Sequence, residues 1–325
     1  MNIDHNKALN ALYDYAIDML EHPEIIDRPE VKETVDQVAR SILNYQPEVI
    51  DDLPFSLKVA VIDRSLEVTS IDQIQAYLDS DTCSAIINQD HHTDKLAGYF
   101  LKVSDDGKSA QIQENRLSSA QIQLVINKIN RVEHLVFEGC RMMEVLPDLS
   151  RHGELHSVVI RDALNLKGIS SLASLRELIS LEIYNSMGIT SFEVLAKNTH
   201  LRSLVAVRCG VESIQPLTTL EELTHLELTK CFHLTDYIDE DKPLLNALKE
   251  IKDLQVLKLS NISGLKNAAP LKELKELVEL DISHTGIDDL SPLADLENLK
   301  VLTVDETQEV DALENKVEVI TLDHK

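Results

Sequence analysis

The chain has 325 residues, 31 basic and 56 acidic side chains, and a net charge of −25. That balance leaves no basic patch to cover phosphates and would be repelled by an anionic membrane, which argues against nucleic-acid binding and membrane association. Hydrophobic residues make up 43% but aromatics only 4%, and tryptophan is absent, so the expected core is aliphatic.

The first seven residues show neither a cationic start nor an apolar run, so no ordinary signal peptide is expected. No stretch approaches the roughly 18 apolar residues of a spanning helix. The four cysteines have no close spacing, which predicts neither a zinc site nor a disulfide framework. The expected location is the cytoplasm, or a host cell reached without such a signal peptide.

Residues 1–82 read as helical. Leu9, Leu12, Tyr13, Ala16, Ile17 and Leu20 follow helical spacing up to Pro23. A second helix opens at Pro29 and carries Val31, Val35, Val38 and Ile42; a third follows Pro54; a fourth opens at Ser70 with Gln73 as a capping box. Residues 83–131 change period and read as an α+β cap. Short strands are expected at 85–87, 99–101 and 110–112, with Asp105-Asp106-Gly107 as a hairpin turn. Ser118 and Gln121 then cap a helix through Ile122, Val125, Ile126 and Ile129.

From Val132 a pattern of apolar residues at positions 1, 4 and 6 recurs. Its starts are Val132, Leu155, Leu178, Leu201, Leu223, Leu254, Leu277, Leu299 and Val317. The steps are 23, 23, 23, 22, 31, 23, 22 and 18 residues, a period that belongs to leucine-rich repeats. Alternating apolar residues make a short half-buried strand, and no single repeat can bury its own face, so the repeats must stack. Pro147, Pro216, Pro270 and Pro292 recur where a convex helical turn should open. Cys140, Cys209 and Cys231 share one slot with Ser186, Thr285 and Thr307, where a small polar group caps the departing strand. These cysteines are expected to be structural.

The segment LVELDISHTGIDDLSPLADLENLKVL, residues 277–302, resembles SDS22-like and internalin-type repeats, as does 207–228. The resemblance covers about 132–322 and implies a parallel-strand horseshoe. The fold class is therefore α/β, a leucine-rich-repeat solenoid over 132–325 behind a mostly helical region and cap.

Two other resemblances concern function. Leu53-Pro54-Phe55-Ser56-Leu57, followed by Val61, Ile62 and Leu66, is similar to the opening of an F-box. It implies a substrate adaptor of a ubiquitin-ligase complex, while the same letters also start a plain cap helix. The acidic C-terminus, with Glu306, Glu309, Asp311, Glu314 and Glu318, resembles the glutamate-rich signals of type IV secretion effectors. The alternative there is a ninth strand with Val317, Ile320 and Leu322 in the core, edged by charge.

No catalytic constellation emerges, and no cofactor or metal is expected. Asp90-His91-His92 with Asp94 reads as a loop rather than a metal site. The expected function is non-enzymatic binding of a protein partner, basic by charge complementarity, on the concave face. The candidate residues are Val136, Val159, Arg161, Glu182, Tyr184, Val205, Val207, Arg208 and Glu227, because apolar anchors with tyrosine and arginine compose binding hot spots. The C-terminal half, with Glu279, Asp281, Asp305 and Glu306, reads as acidic. An insertion at 235–242 precedes an expected helix over 244–251.

Overall fold

The computed structural model describes residue 33 and residues 100–113, 117–234, 244–306, 308, 310, 313 and 317–322. The four expected helices before residue 83, the strand at 85–87, the F-box-like segment, the Asp90-His91-His92 loop and the insertion at 235–242 lie outside the described residues. The chain divides into two compact units, 1–101 and 102–325. The second unit contains the repeats.

The strands run in chain order: β1 (Leu101–Val103), β2 (Ser109–Ile112), β3 (His134–Glu138), β4 (Ser157–Arg161), β5 (Ser180–Tyr184), β6 (Ser203–Val207), β7 (His225–Glu227), β8 (Val256–Lys258), β9 (Glu279–Asp281), β10 (Val301–Asp305) and β11 (Glu318–Leu322). They form one sheet in which spatial order equals chain order. Every neighbouring pair from β2 to β11 is parallel. This is the leucine-rich-repeat solenoid that the period implied.

The hairpin before the repeats turns where expected. The Gly107 N–H donates to the Ser104 carbonyl at 2.9 Å, and Gly107 takes φ 71°, a conformation open to a residue without Cβ. β1 begins at Leu101, and Phe100 is buried with helical backbone, so the expected strand at 99–101 is displaced along the chain. Helix α1 (Ser119–Ile126) is closed by the capping box: the Gln121 N–H donates to Ser118 Oγ, and the Ser118 N–H to Gln121 Oε1.

On the convex side most repeats carry a single 3₁₀ turn. Pro216, Pro270 and Pro292 sit at the first or second position of three of these, where no N–H is needed. Pro147 departs from the expectation and is buried outside any helix. The convex helix after the insertion, α2 (Leu244–Leu248), is shorter than the expected 244–251. The core is the aliphatic column the repeat predicts, with Leu135, Val158, Leu181, Leu204, Leu226, Leu257, Leu280 and Leu302 buried side by side.

Each strand from β3 to β9 is followed by a left-handed residue. Asp162, Asn185, Arg208, Lys230, Asn261 and His284 take φ between 53° and 61°, and Gly139 takes 63°. A residue with a Cβ gives up about 1–2 kcal/mol there. The bend returns a backbone N–H to the next rung: Asp162 donates to Tyr184, Asn185 to Val207, Arg208 to Thr229 and Lys230 to Ser260. It also turns the following residue inward. Cys140, Cys209 and Cys231 are fully buried in that slot, and Ser186 donates its hydroxyl to the Tyr184 carbonyl.

The last strand corrects the expected register. Leu302 pairs with Val319 and Thr303 with Ile320, so Val319 continues the core column. Ile320 and Leu322, expected inside, lie 41% and 37% exposed. A slip of one residue exchanges the two faces of a strand.

Candidate functional site

The concave face is built from the strand residues that alternate with the core leucines. Its central column runs Val136, Val159, Glu182, Val205, Glu227, Lys258, Asp281 and Thr303, and the next runs Glu138, Arg161, Tyr184 and Val207. The sheet therefore brings eight of the nine candidate residues onto neighbouring positions of one face. Arg208 sits just beyond, exposed, in the left-handed bend after β6.

Arg161 organises the patch. Its guanidinium reaches Glu138 Oε2 on β3 at 3.3 Å and Glu182 Oε2 on β5 at 3.8 Å, and its central carbon lies 5.5 Å from the Tyr184 ring centroid. The Tyr184 hydroxyl donates to Glu182 Oε2 at 3.0 Å. Partial burial, then the Glu182 carboxylate, push the Tyr184 phenol up to about 12.

The valines differ from expectation. Val159 and Val205 are only 9% exposed, while Val136 and Val207 are half-buried. A short side chain between longer neighbours on a curved inner surface is screened by them. Apolar area at this patch therefore comes from Val136, Val207 and the Tyr184 ring.

The acidic half is also modified. Asp305 is not a free concave charge: its side chain is 4% exposed, accepts the His284 N–H and pairs with His284 Nδ1 at 3.0 Å. It stands where a further strand carbonyl accepts in the earlier rungs. Asp281 accepts from the N–H and hydroxyl of Ser283, and Glu279 pairs with Lys258 at 3.0 Å. That pairing, opposed by partial burial, raises the Lys258 ammonium. Half-buried His225 beside it is lowered by desolvation and then by Lys258.

The buried thiols serve structure. Cys231 donates to the Ala206 carbonyl, and Cys209, hydrogen-bonded to Cys231 and buried, has its thiol pushed up. A protonated thiol without access is unreactive. Sequence reading missed the left-handed row and the outward side chains that follow it. The signal was present as a slot two residues beyond each bend.

No family model matches the chain, and no curated protein matches it. Solved structures do. The TLR13–ssRNA13 complex has a TM-score of 0.53 at 18% identity, over 70% of this chain and 31% of that one. Internalin C2 of Listeria monocytogenes has a TM-score of 0.42 at 20% identity, over 71% and 84%. The leucine-rich repeat domain of the type III effector XopL has a TM-score of 0.49 at 16% identity, over 90% and 95%. At these identities the likeness concerns the fold alone, a leucine-rich-repeat solenoid.

Proposed function

We propose that the chain is a non-enzymatic protein-binding module that seats its partner on the N-terminal half of the concave sheet. One observation carries this reading. Arg161, Tyr184, Glu182 and Glu138 hold one another in place across three strands, beside Val136 and Val207. Side chains already fixed lose less freedom on binding, and tyrosine with arginine is the pair most often found at interface hot spots. The net charge of −25 steers a basic partner toward the molecule.

Parallel affinity capture with the wild-type chain and an Arg161→Ala/Tyr184→Ala variant tests the site. A partner held by the first and lost from the second supports it. A partner held equally by both places binding elsewhere.

The acidic C-terminus supports a second step, delivery into a host cell by a type IV system. A translocation reporter fused to the chain should enter recipient cells, and deletion of 306–325 should stop it. Entry that survives the deletion overturns the delivery reading and leaves the binding module untouched.

A further inference from the structure

Each of the first seven rungs leaves its strand through a four-residue corner that starts at the left-handed bend. The corners are 139–142, 162–165, 185–188, 208–211, 230–233, 261–264 and 284–287. The third corner residue in each rung, from Arg141 to Gly286, faces outward where it carries a side chain. In the second, third and fifth rungs it is Leu164, Met187 and Phe232, exposed by 57%, 42% and 55%. Met142, the last residue of the first corner, is 47% exposed, and Asn165 Nδ2 lies 3.8 Å from its sulfur, which places it beside the second corner.

The repeats serve as controls for one another. The sixth corner fills the same slot with exposed Ser263, so the fold does not demand an apolar residue there; the seventh has Gly286, where a Cβ would crowd the Leu265 and Ser263 carbonyl oxygens. The fourth rung has Gly210, where a Cβ would collide with the Met187 carbonyl oxygen, so that gap is set by the backbone. Four of the nine exposed large hydrophobics among the described residues thus line up on one rim.

Charge reverses on the same rim. The first five corners hold three cations, Arg141, Arg208 and Lys230, and one carboxylate, Asp162, in a chain with 56 acidic and 31 basic residues. Asp162 accepts from Asn185 Nδ2 at 2.6 Å. Arg208 and Lys230 are exposed, and neither pairs with a carboxylate among the described residues.

We infer that this rim docks an amphipathic helix of a partner protein, its apolar stripe on Met142, Leu164, Met187 and Phe232 and its acidic flank toward Arg208 and Lys230. Rung spacing selects the helix. Strands repeat about every 4.8 Å, close to the 5.4 Å of a helical turn and further from the ~6.6 Å between same-face residues of an extended peptide. Four rung intervals, about 19 Å, then meet about four helical turns. A lipid surface fits less well, because the rest of the chain would be repelled by anionic headgroups. The rim lies beside the concave patch and does not depend on it.

The test is selection of a displayed library of helical peptides about 18 residues long, or about five turns, on the intact chain. Enriched peptides should carry apolar residues at three- and four-residue spacing with acidic flanks. Their affinity should fall roughly tenfold or more in Leu164→Glu and Phe232→Glu, as for interface anchors, and Arg208→Glu should also weaken them. Ser263→Glu, in the control rung, and Tyr184→Ala, on the concave face, should leave them unchanged. Thermal melts confirm that the exposed substitutions keep the fold. No enrichment, basic or non-helical winners, or winners lost only with Tyr184→Ala would overturn the inference. So would binding to phosphatidylserine vesicles that Leu164→Glu abolishes.

Discussion

Arg161 lies over the ring of Tyr184, its guanidinium carbon 5.5 Å from the ring centroid, and the two residues face each other across the paired strands β4 and β5. Such a contact is worth about 0.5–1 kcal/mol at an exposed site, so its main consequence is positional. Arg161→Ala and Tyr184→Ala should each weaken partner binding by about 1–3 kcal/mol. Neither should shift thermal unfolding much, because exposed pairs add little to stability. Tyr184→Phe keeps the ring and should retain more affinity than Tyr184→Ala. Calorimetric titration with the captured partner measures all three, and equal affinity throughout would exclude the patch.

The Tyr184 phenol offers a check that needs no partner. Burial and the Glu182 carboxylate raise it from 10.0 to about 12. The neutral form is favoured in the native state, so between these values the unfolded chain loses the proton first. Stability from this group is fully present below pH 10 and falls as pH rises toward 12. Subtracting the ultraviolet titration of Tyr184→Phe from that of the wild type isolates this tyrosine from the other six. Glu182→Gln should bring the transition down toward 10. A Tyr184 that ionises at its ordinary value would mean that neither its partial burial nor the hydrogen bond to Glu182 persists in solution.

His152 sets an acid limit on the fold. It is 6% exposed, and its Nδ1 has no hydrogen-bond partner among the described residues. Burial lowers its pKa from 6.5, against the effect of a hydrogen bond to the Ile126 carbonyl. Below pH 6.5 the unfolded chain takes up a proton that the native chain resists, so stability falls as pH drops through this range. Urea midpoints compared between pH 7.5 and 5.5 should decline in the wild type. His152→Leu should flatten part of that slope. Slopes that match in the two proteins would show that other groups govern the acid response.

The repeat period was enough to place the sheet, because six of the eight steps between repeat starts are 22 or 23 residues, a leucine-rich-repeat period. The concave candidates followed from alternation alone, and the sheet sets Arg161, Glu182 and Tyr184 side by side. Three things were not legible. Val159 and Val205 are hidden by longer neighbours, a property of curvature rather than of residue type. Asp305 turns inward to replace a missing strand carbonyl, which depends on where the regular stacking ends. The left-handed row was hard to read because Gly139, Asp162, Asn185 and Asn261, which favour such a bend, share the slot with Arg208 and Lys230, which do not.

The ninth rung gives the sharpest test of register. Sequence alignment puts Ile320 in the same column as Leu226, Leu280 and Leu302. The structure pairs it with Thr303 on the concave face, 41% exposed, while the three leucines are fully buried. The physical reason is the short final connection: its last step is one residue shorter than alignment of Val317 with Leu299 supposes, and one residue reverses the faces. Leu226→Ala and Leu280→Ala should each cost about 2–5 kcal/mol, the sum of lost burial and residual cavity. Ile320→Ala should cost about 0.5 kcal/mol, as at other surface positions. Val319→Ala, on the core side, should fall between them. Chemical denaturation of the four variants ranks them directly. An Ile320→Ala loss equal to that of Leu280→Ala would restore the aligned register and return Leu322 to the interior.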